Sequence, residues 1–284
     1  MPLLHLLKKI REVLKLLKRV IHPPPTVAVI PLAGVIGSFG PRRRGLSLES
    51  LAPVIARAFK VGGLKAVALA INSPGGSPVQ SALIQKRIRA LAEEKKVPVF
   101  AFAEDVAASG GYWLALAGDE VYADENSIVG SIGVISAGFG FPDAIRRLGI
   151  ERRVHTAGEK KSFHDPFQDE KPEDVARLRA LQDEIHENFR DFVRTRRAGK
   201  LNAPETELFT GEFWTGRRAV ALGLIDGLGD LRTVMRARYG EKVRFRVFRQ
   251  ERSLVGSLLR GQQEWPEHAL AALDERLWWS RYGL

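Results

Sequence analysis

The 284-residue chain contains no cysteine, two methionines and six histidines. Without cysteine it has no disulfide, no thiolate metal site and no thiol nucleophile, and its redox compartment leaves no mark on the sequence. The histidines stand at 5, 22, 155, 164, 186 and 268, so none falls between His22 and His155. That spacing argues against a histidine-rich metal centre, and neither a metal nor a cofactor is expected. Acidic residues are also in short supply, 33 against 44 lysines and arginines, which leaves a formal net charge of +11. Apolar residues make up 45% of the chain. That is enough for a substantial core, and it excludes a disordered, collagen-like or disulfide-stapled protein. Length alone leaves the domain count open.

A basic excess points to nucleic acid or to an anionic membrane surface, and its position decides between them. Residues 1–21 hold Lys8, Lys9, Arg11, Lys15, Lys18 and Arg19 against the single acid Glu12. Leu3, Leu7, Ile10, Leu14, Leu17 and Ile21 recur every three or four residues, which puts them on one helical face with the cations beside them. The pattern predicts an amphipathic helix lying on a membrane surface or against a partner. Charges interrupt it too often for a bilayer span, and it lacks the apolar core and cleavage site of a signal peptide. Elsewhere no basic stripe is interleaved with aromatics, and Pro41-Arg42-Arg43-Arg44 reads as a solvated loop, so a nucleic-acid partner is not expected.

Pro23, Pro24 and Pro25 end this helix, because consecutive prolines lack amide donors. The expected organisation is a basic helix and linker over 1–25, a folded domain over 26–250 and an extension over 251–284. Apolar runs at 27–36, 64–71 and 97–103 read as strands, and helical patterns at about 47–60 and 78–94 separate them. Such alternation predicts an α/β domain with parallel strands joined by helices. Further strands are expected at 134–137, 152–157 and 243–247, and helices at about 141–148, 171–198 and 230–238. In the extension, Trp278, Trp279 and Tyr282 beside Arg276 and Arg281 suit a helix anchored at a protein or lipid interface.

Two segments stand where a strand passes into a helix. Asn72-Ser73-Pro74-Gly75-Gly76-Ser77-Pro78 has glycines that let backbone approach a ligand and amides able to face an anion. Alone, such a turn is more often plain strand-to-helix punctuation. Ala107-Ala108-Ser109-Gly110-Gly111 offers a serine among small residues at a helix start, which suits a nucleophile and suits a helix cap as well. A serine nucleophile needs a base. No histidine lies close after Ser109, and the downstream candidates are His155, Lys160, Lys161 and His164. A lysine serves if withdrawal from water keeps its amine neutral; otherwise the lysine pair is a solvated loop.

Taken in order, Asn72-Ser73-Pro74-Gly75-Gly76, then Ala108-Ser109-Gly110-Gly111-Tyr112 with Val129-Gly130-Ser131-Ile132-Gly133-Val134, then Gly158-Glu159-Lys160-Lys161 leading to Asp165-Pro166-Phe167, resemble the signal peptide peptidase A family (protease IV, peptidase family S49). Trp214-Thr215-Gly216-Arg217-Arg218-Ala219 with Gly223-Leu224-Ile225-Asp226 resembles its closing segment, so the likeness covers about 27–235. The resemblance implies a Clp protease/crotonase-like fold of repeated β-β-α units, here with the N-terminal amphipathic helix. It implies a Ser-Lys dyad with Ser109 as the acylated nucleophile and Lys161 as its base. Lys161 is preferred to Lys160 for its distance from Asp165-Pro166. By the same likeness Ser131 holds the lysine amine, and the amides of Gly76 and Gly110 form the oxyanion hole. Two departures are the absence of a long apolar anchor and Lys160 at a position commonly aromatic in the family.

The expected function is a serine endopeptidase that cleaves remnant signal peptides or other apolar membrane-derived peptides. The resemblance also implies a ring-shaped or dome-like homo-oligomer, and peripheral attachment to the inner membrane of a bacterium is expected, with residues 1–21 meeting anionic lipid. Two rivals are a crotonase-like acyl-CoA enzyme, which would need carboxylates at the same oxyanion hole, and a non-enzymatic membrane-surface scaffold.

Overall fold

A computed structural model describes residues 25–37, 45–158, 160–250 and 276–283. The expected basic helix over 1–21, the Pro41–Arg44 run and most of the extension lie outside the described residues. Eight strands of the described residues form one sheet. β1 (Thr26–Ala33), β2 (Leu64–Ser73) and β3 (Val99–Ala108) run parallel through its middle. Their apolar runs are nearly continuous because both faces are covered. Ala28, Ile30, Leu32, Val67, Leu69, Ile71, Val99 and Ala101 face the larger cluster, packed under α1 (Leu48–Ala58), α2 (Pro78–Lys95) and α3 (Gly110–Ala115). Val27, Val29, Ala66, Ala68, Phe100 and Phe102 face the other cluster with Met235, which belongs to α8 (Leu231–Tyr239).

β3 is longer than its apolar run suggests. Glu104 and Asp105 are exposed and interrupt the hydrophobic pattern, yet the strand continues through Val106-Ala107-Ala108. Its first half pairs with β4 (Glu120–Ala123) and its last three residues pair with β5 (Ile128–Gly130). The sheet therefore forks along β3, and Ser109 emerges at the tip of the fork. β6 (Phe213–Thr215) pairs antiparallel with β5, β7 (Gly227–Leu228) extends β4, and β8 (Arg244–Val247) flanks β1. The remaining helices are α4 (Pro142–Arg147), α5 (Pro172–Arg196), α6 (Glu205–Leu208) and α7 (Gly216–Ala221).

Two expected strands are absent. Residues 134–137 and 152–157 have no strand partner and form irregular backbone. Around the first, Gly133, Gly138 and Gly140 favour irregular backbone over pairing, and Ile135 is solvent-exposed. In the second, Arg153 bonds Glu151 and Arg152 bonds Asp165, so the side chains hold the segment without a ladder.

α3 is fixed from two sides. Trp113 lies between the rings of Phe189 and Phe192 of α5, each 4.8 Å away. The buried Tyr112 hydroxyl donates to the Leu224 carbonyl at 2.7 Å, and burial pushes its pKa up. Leu224 belongs to the closing segment Gly223–Asp226, whose Asp226 accepts from Arg197, Lys200 and the Val121 amide at 2.8, 2.7 and 2.8 Å. Burial alone would raise the Asp226 carboxyl, but these donors outweigh it and hold the group below its ordinary value.

Candidate active site

Ser109 sits between β3 and α3 with φ +54° and ψ −120°. A non-glycine residue in that region stores strain of about 1–3 kcal/mol and persists only where its surroundings hold it. Three contacts do so. The Ser109 amide donates to the Gly130 carbonyl at 2.8 Å, at the end of β5. The Ser109 carbonyl accepts from the Trp113 amide at 3.0 Å, which starts α3. On the third side the Pro74-Gly75-Gly76 turn presses on it, because Ser73 at the end of β2 is paired with Ala107. The side chain makes no capping bond to the helix, so the capping role weighed from sequence is absent and the hydroxyl is left half-exposed.

The turn can approach only because it is glycine. A Cβ at Gly75 would lie 2.8 Å from the Ser109 Cβ, and one at Gly76 would lie 2.0 Å from the Ile36 carbonyl oxygen. Both have positive φ, +105° and +140°. Ile36 bridges this turn through its amide to Gly75 O (2.8 Å) and its carbonyl to the Ser77 amide (2.7 Å). That pairing skips the Gly76 amide. The Gly110 amide is the first of α3, with no intrahelical acceptor. Neither amide thus has a backbone acceptor among the described hydrogen bonds.

Ser131 follows Gly130 and is the second strained serine, with φ +54°. Its amide donates to the Glu212 carbonyl at 2.7 Å, and its side chain is buried. The structure therefore gathers Ser109, Gly76, Gly110 and Ser131 where β2, β3 and β5 end together. Lys161 and Lys160 are not joined to them. Both are solvent-exposed on the segment after α4, and no hydrogen bond or ion pair of the described residues involves either amine. That segment is tied to itself: the Phe141 amide donates to Pro166 O at 2.6 Å, Phe141 and Phe167 rings lie 5.8 Å apart, and Arg152 caps the Phe167 ring. His155 and His164 are exposed on the same segment. Among the described residues no cluster of His, Asp and Glu is arranged to hold a metal ion.

Sequence reasoning missed Tyr282. It packs on Val106 and Ala108, and its hydroxyl reaches Pro74 and Ser131. Its aromatic-basic surroundings suggested a protein or lipid interface, and the ring packs on β3 of the chain itself.

This forked sheet, with a strained serine where its strands end, defines a Clp protease/crotonase-like domain. A solved structure of a mutant of a protein described as 1510-N membrane-bound stomatin-specific protease superposes with a TM-score of 0.50 at 17% identity, covering 80% of this chain and 99% of that one. The Peptidase family S49 model matches residues 91–243, more than half of the chain, and the protein belongs to that family. Serine protease SPPA, chloroplastic, from Arabidopsis thaliana is 34% identical over 171 residues, 59% of this chain and 24% of that protein. Protease 4 of Haemophilus influenzae is 30% identical over 212 residues, 73% of this chain and 33% of that protein. Na(+)/H(+) antiporter NhaA of Brucella abortus is 50% identical over 272 residues, 91% of this chain and 37% of that protein. The chain thus spans about a third or less of these relatives' lengths. No helix of the described residues is long and apolar enough to cross a membrane.

Proposed function

We propose that the protein is a serine endopeptidase of the Ser-Lys type. The observation that supports this most is the backbone of Ser109. Strain at a half-exposed serine, pressed between a glycine turn and a helix start, has a reason if the hydroxyl must be aimed at a substrate carbonyl. Ser109 Oγ attacks the scissile carbonyl and passes its proton to the Lys161 amine. The oxyanion rests on the amides of Gly76 and Gly110, where each donor contributes about 10²–10³ in kcat. Collapse expels the amine product, which takes the proton from lysine. Water then attacks the acyl-enzyme as its proton goes to the same amine, and collapse breaks the ester bond, releasing the acid product while Ser109 Oγ takes the proton back from the lysine. The Ser131 hydroxyl orients the lysine.

A lysine base must be withdrawn from water, and Lys161 is exposed in the single chain. In this reading a second copy covers its segment, which makes a homo-oligomer part of the active site. The substrates are remnant signal peptides or other apolar membrane-derived peptides, met at an anionic inner-membrane surface that residues 1–21 bind peripherally. The test is mass spectrometry of a fluorophosphonate adduct. The adduct should sit on Ser109, and both Ser109→Ala and Lys161→Ala should remain unlabelled. An acyl-CoA hydratase of the same fold would stay unmodified, and a scaffold would keep its role after Ser109→Ala.

A further inference from the structure

Ser131, the second strained serine, is pinned by its neighbours. Its amide donates to the Glu212 carbonyl at 2.7 Å, and its carbonyl accepts from the Gly133 amide at 3.0 Å. The Gly130 carbonyl before it accepts from the Ser109 amide at 2.8 Å. The Ile132 carbonyl after it differs, because its one donor among the described hydrogen bonds is a side chain. His186 Nε2 lies 3.0 Å from that oxygen, 54 residues away in sequence. A carbonyl oxygen only accepts, so this bond puts a proton on Nε2. Past Gly133, the next backbone hydrogen bond among the described residues starts at Phe141, and residues 135–140 are exposed and irregular. His186 is therefore the last side chain that ties the turn down before the chain leaves the core.

The same helix also braces the first strained serine. His186 stands on α5, where Phe189 and Phe192 enclose Trp113 of α3. Further along, Arg196 donates to the Leu116 and Gly118 carbonyls just past α3, at 2.8 and 2.7 Å. Positions 186, 189, 193 and 196 follow the three- and four-residue spacing of one helical face. That face lies along α3 as a splint, and His186 extends it by a turn to reach Ser131. One helix thus sets the Ser109 helix and the Ser131 turn against each other. A positive φ at a serine persists only while its surroundings hold it. Without the imidazole donor the Ile132–Gly133 peptide is free to rotate, and Ser131 can relax with it.

Resting on the peptidase reading, we propose that His186 is a positioning residue for the reaction: by holding the Ile132 carbonyl it keeps Ser131 in its strained conformation, with the hydroxyl aimed at the lysine amine. An imidazole donates without a permanent charge. Lysine or arginine at 186 would bring one toward an amine that must stay neutral.

The test is the rate of fluorophosphonate labelling of Ser109 in the full chain, followed by mass spectrometry over a range of probe concentrations. His186→Leu and His186→Ala should lower the maximal rate by a factor of about 10–100, the scale of a misplaced reacting group, and leave the half-saturating probe concentration unchanged. His186→Gln, whose side-chain amide can donate to the same carbonyl, should restore the rate to within about threefold of the unaltered chain. Coupling separates positioning from packing. In a Ser131→Ala chain, His186→Leu should slow labelling no further, because the hydroxyl it positions is gone. A helix that had merely lost packing would slow both backgrounds by the same factor. Full-rate labelling of His186→Leu and His186→Ala, no recovery with His186→Gln, or an equal loss in both backgrounds overturns the proposal. With Ser109 labelled in the unaltered chain, each of those results leaves the peptidase reading standing. Absence of any Ser109 adduct in the unaltered chain removes that reading and this proposal together.

Discussion

At the scale of single residues the site depends on what is missing from two side chains. Gly76 has its Cα so close to Ile36 that any Cβ would overlap a backbone oxygen, which cannot swing aside as a side chain could. Gly76→Ala must therefore move the turn, and with it the amide offered to the oxyanion. We expect kcat to fall about 10²–10³-fold with a small change in KM, the signature of an interaction made in the transition state. Cleavage kinetics at wild-type rate would show that this amide is not used. Tyr112 tests the opposite case, a residue that supports the site without touching it. Tyr112→Phe removes the bond to Leu224 and leaves a buried carbonyl unpaired, for a cost of about 1–3 kcal/mol in denaturant unfolding. The two glycines and Ser109 were legible from sequence because their chemistry is local, a strand running into a helix. Tyr282 was not, because residues 74, 131, 213 and 282 meet only in the folded chain, and an aromatic near arginines looks the same facing lipid or protein.

At the scale of elements, the site needs α3 to stay where β3 delivers it. Trp113 stacks on Phe189 and Phe192 of α5, and Trp113→Ala should cost about 3–5 kcal/mol by thermal or denaturant unfolding. The polar latch adds a pH dependence with a definite sign. The Asp226 carboxyl is held below its ordinary value in the folded chain. Its contribution is therefore complete above the unfolded value of about 3.9 and is lost as pH falls through the lower folded value. Asp226→Asn should flatten that acid limb of the unfolding curve; an unchanged limb would place acid sensitivity elsewhere. The central strands and first two helices were readable because burial on both faces writes continuous apolar runs with helical patterns between them. The end of β3 was hidden by Glu104-Asp105, charges tolerated where the strand changes partner from β4 to β5 and both side chains face solvent. The strand expected at 152–157 failed for the converse reason. Its pattern fits a strand, but no neighbouring strand offers a ladder.

At the scale of the whole molecule, one chain does not complete the proposed reaction. The segment carrying Lys161 also exposes Ile135, Phe139, Leu148 and Ile150, with Phe139 76% exposed. Apolar side chains grouped on one exposed segment mark an interaction surface. A second copy of the chain is the partner that would both cover them and withdraw a lysine from water beside a serine. This has a consequence for mixed assemblies. Ser109→Ala and Lys161→Ala should each be inactive alone. If the serine of one copy works with the lysine of its neighbour, refolding the two variants together pairs an intact serine with an intact lysine at random. In a closed ring that restores about a quarter of the wild-type sites. Peptide cleavage at about that level, rising with the mixing ratio towards equality and falling on dilution, is the expected result. No recovery from a mixture shown by size to contain both variants would mean that serine and lysine must come from the same chain. The segment after α4 would then have to fold back over Ser109 in cis, beside the place where Tyr282 packs on Ala108.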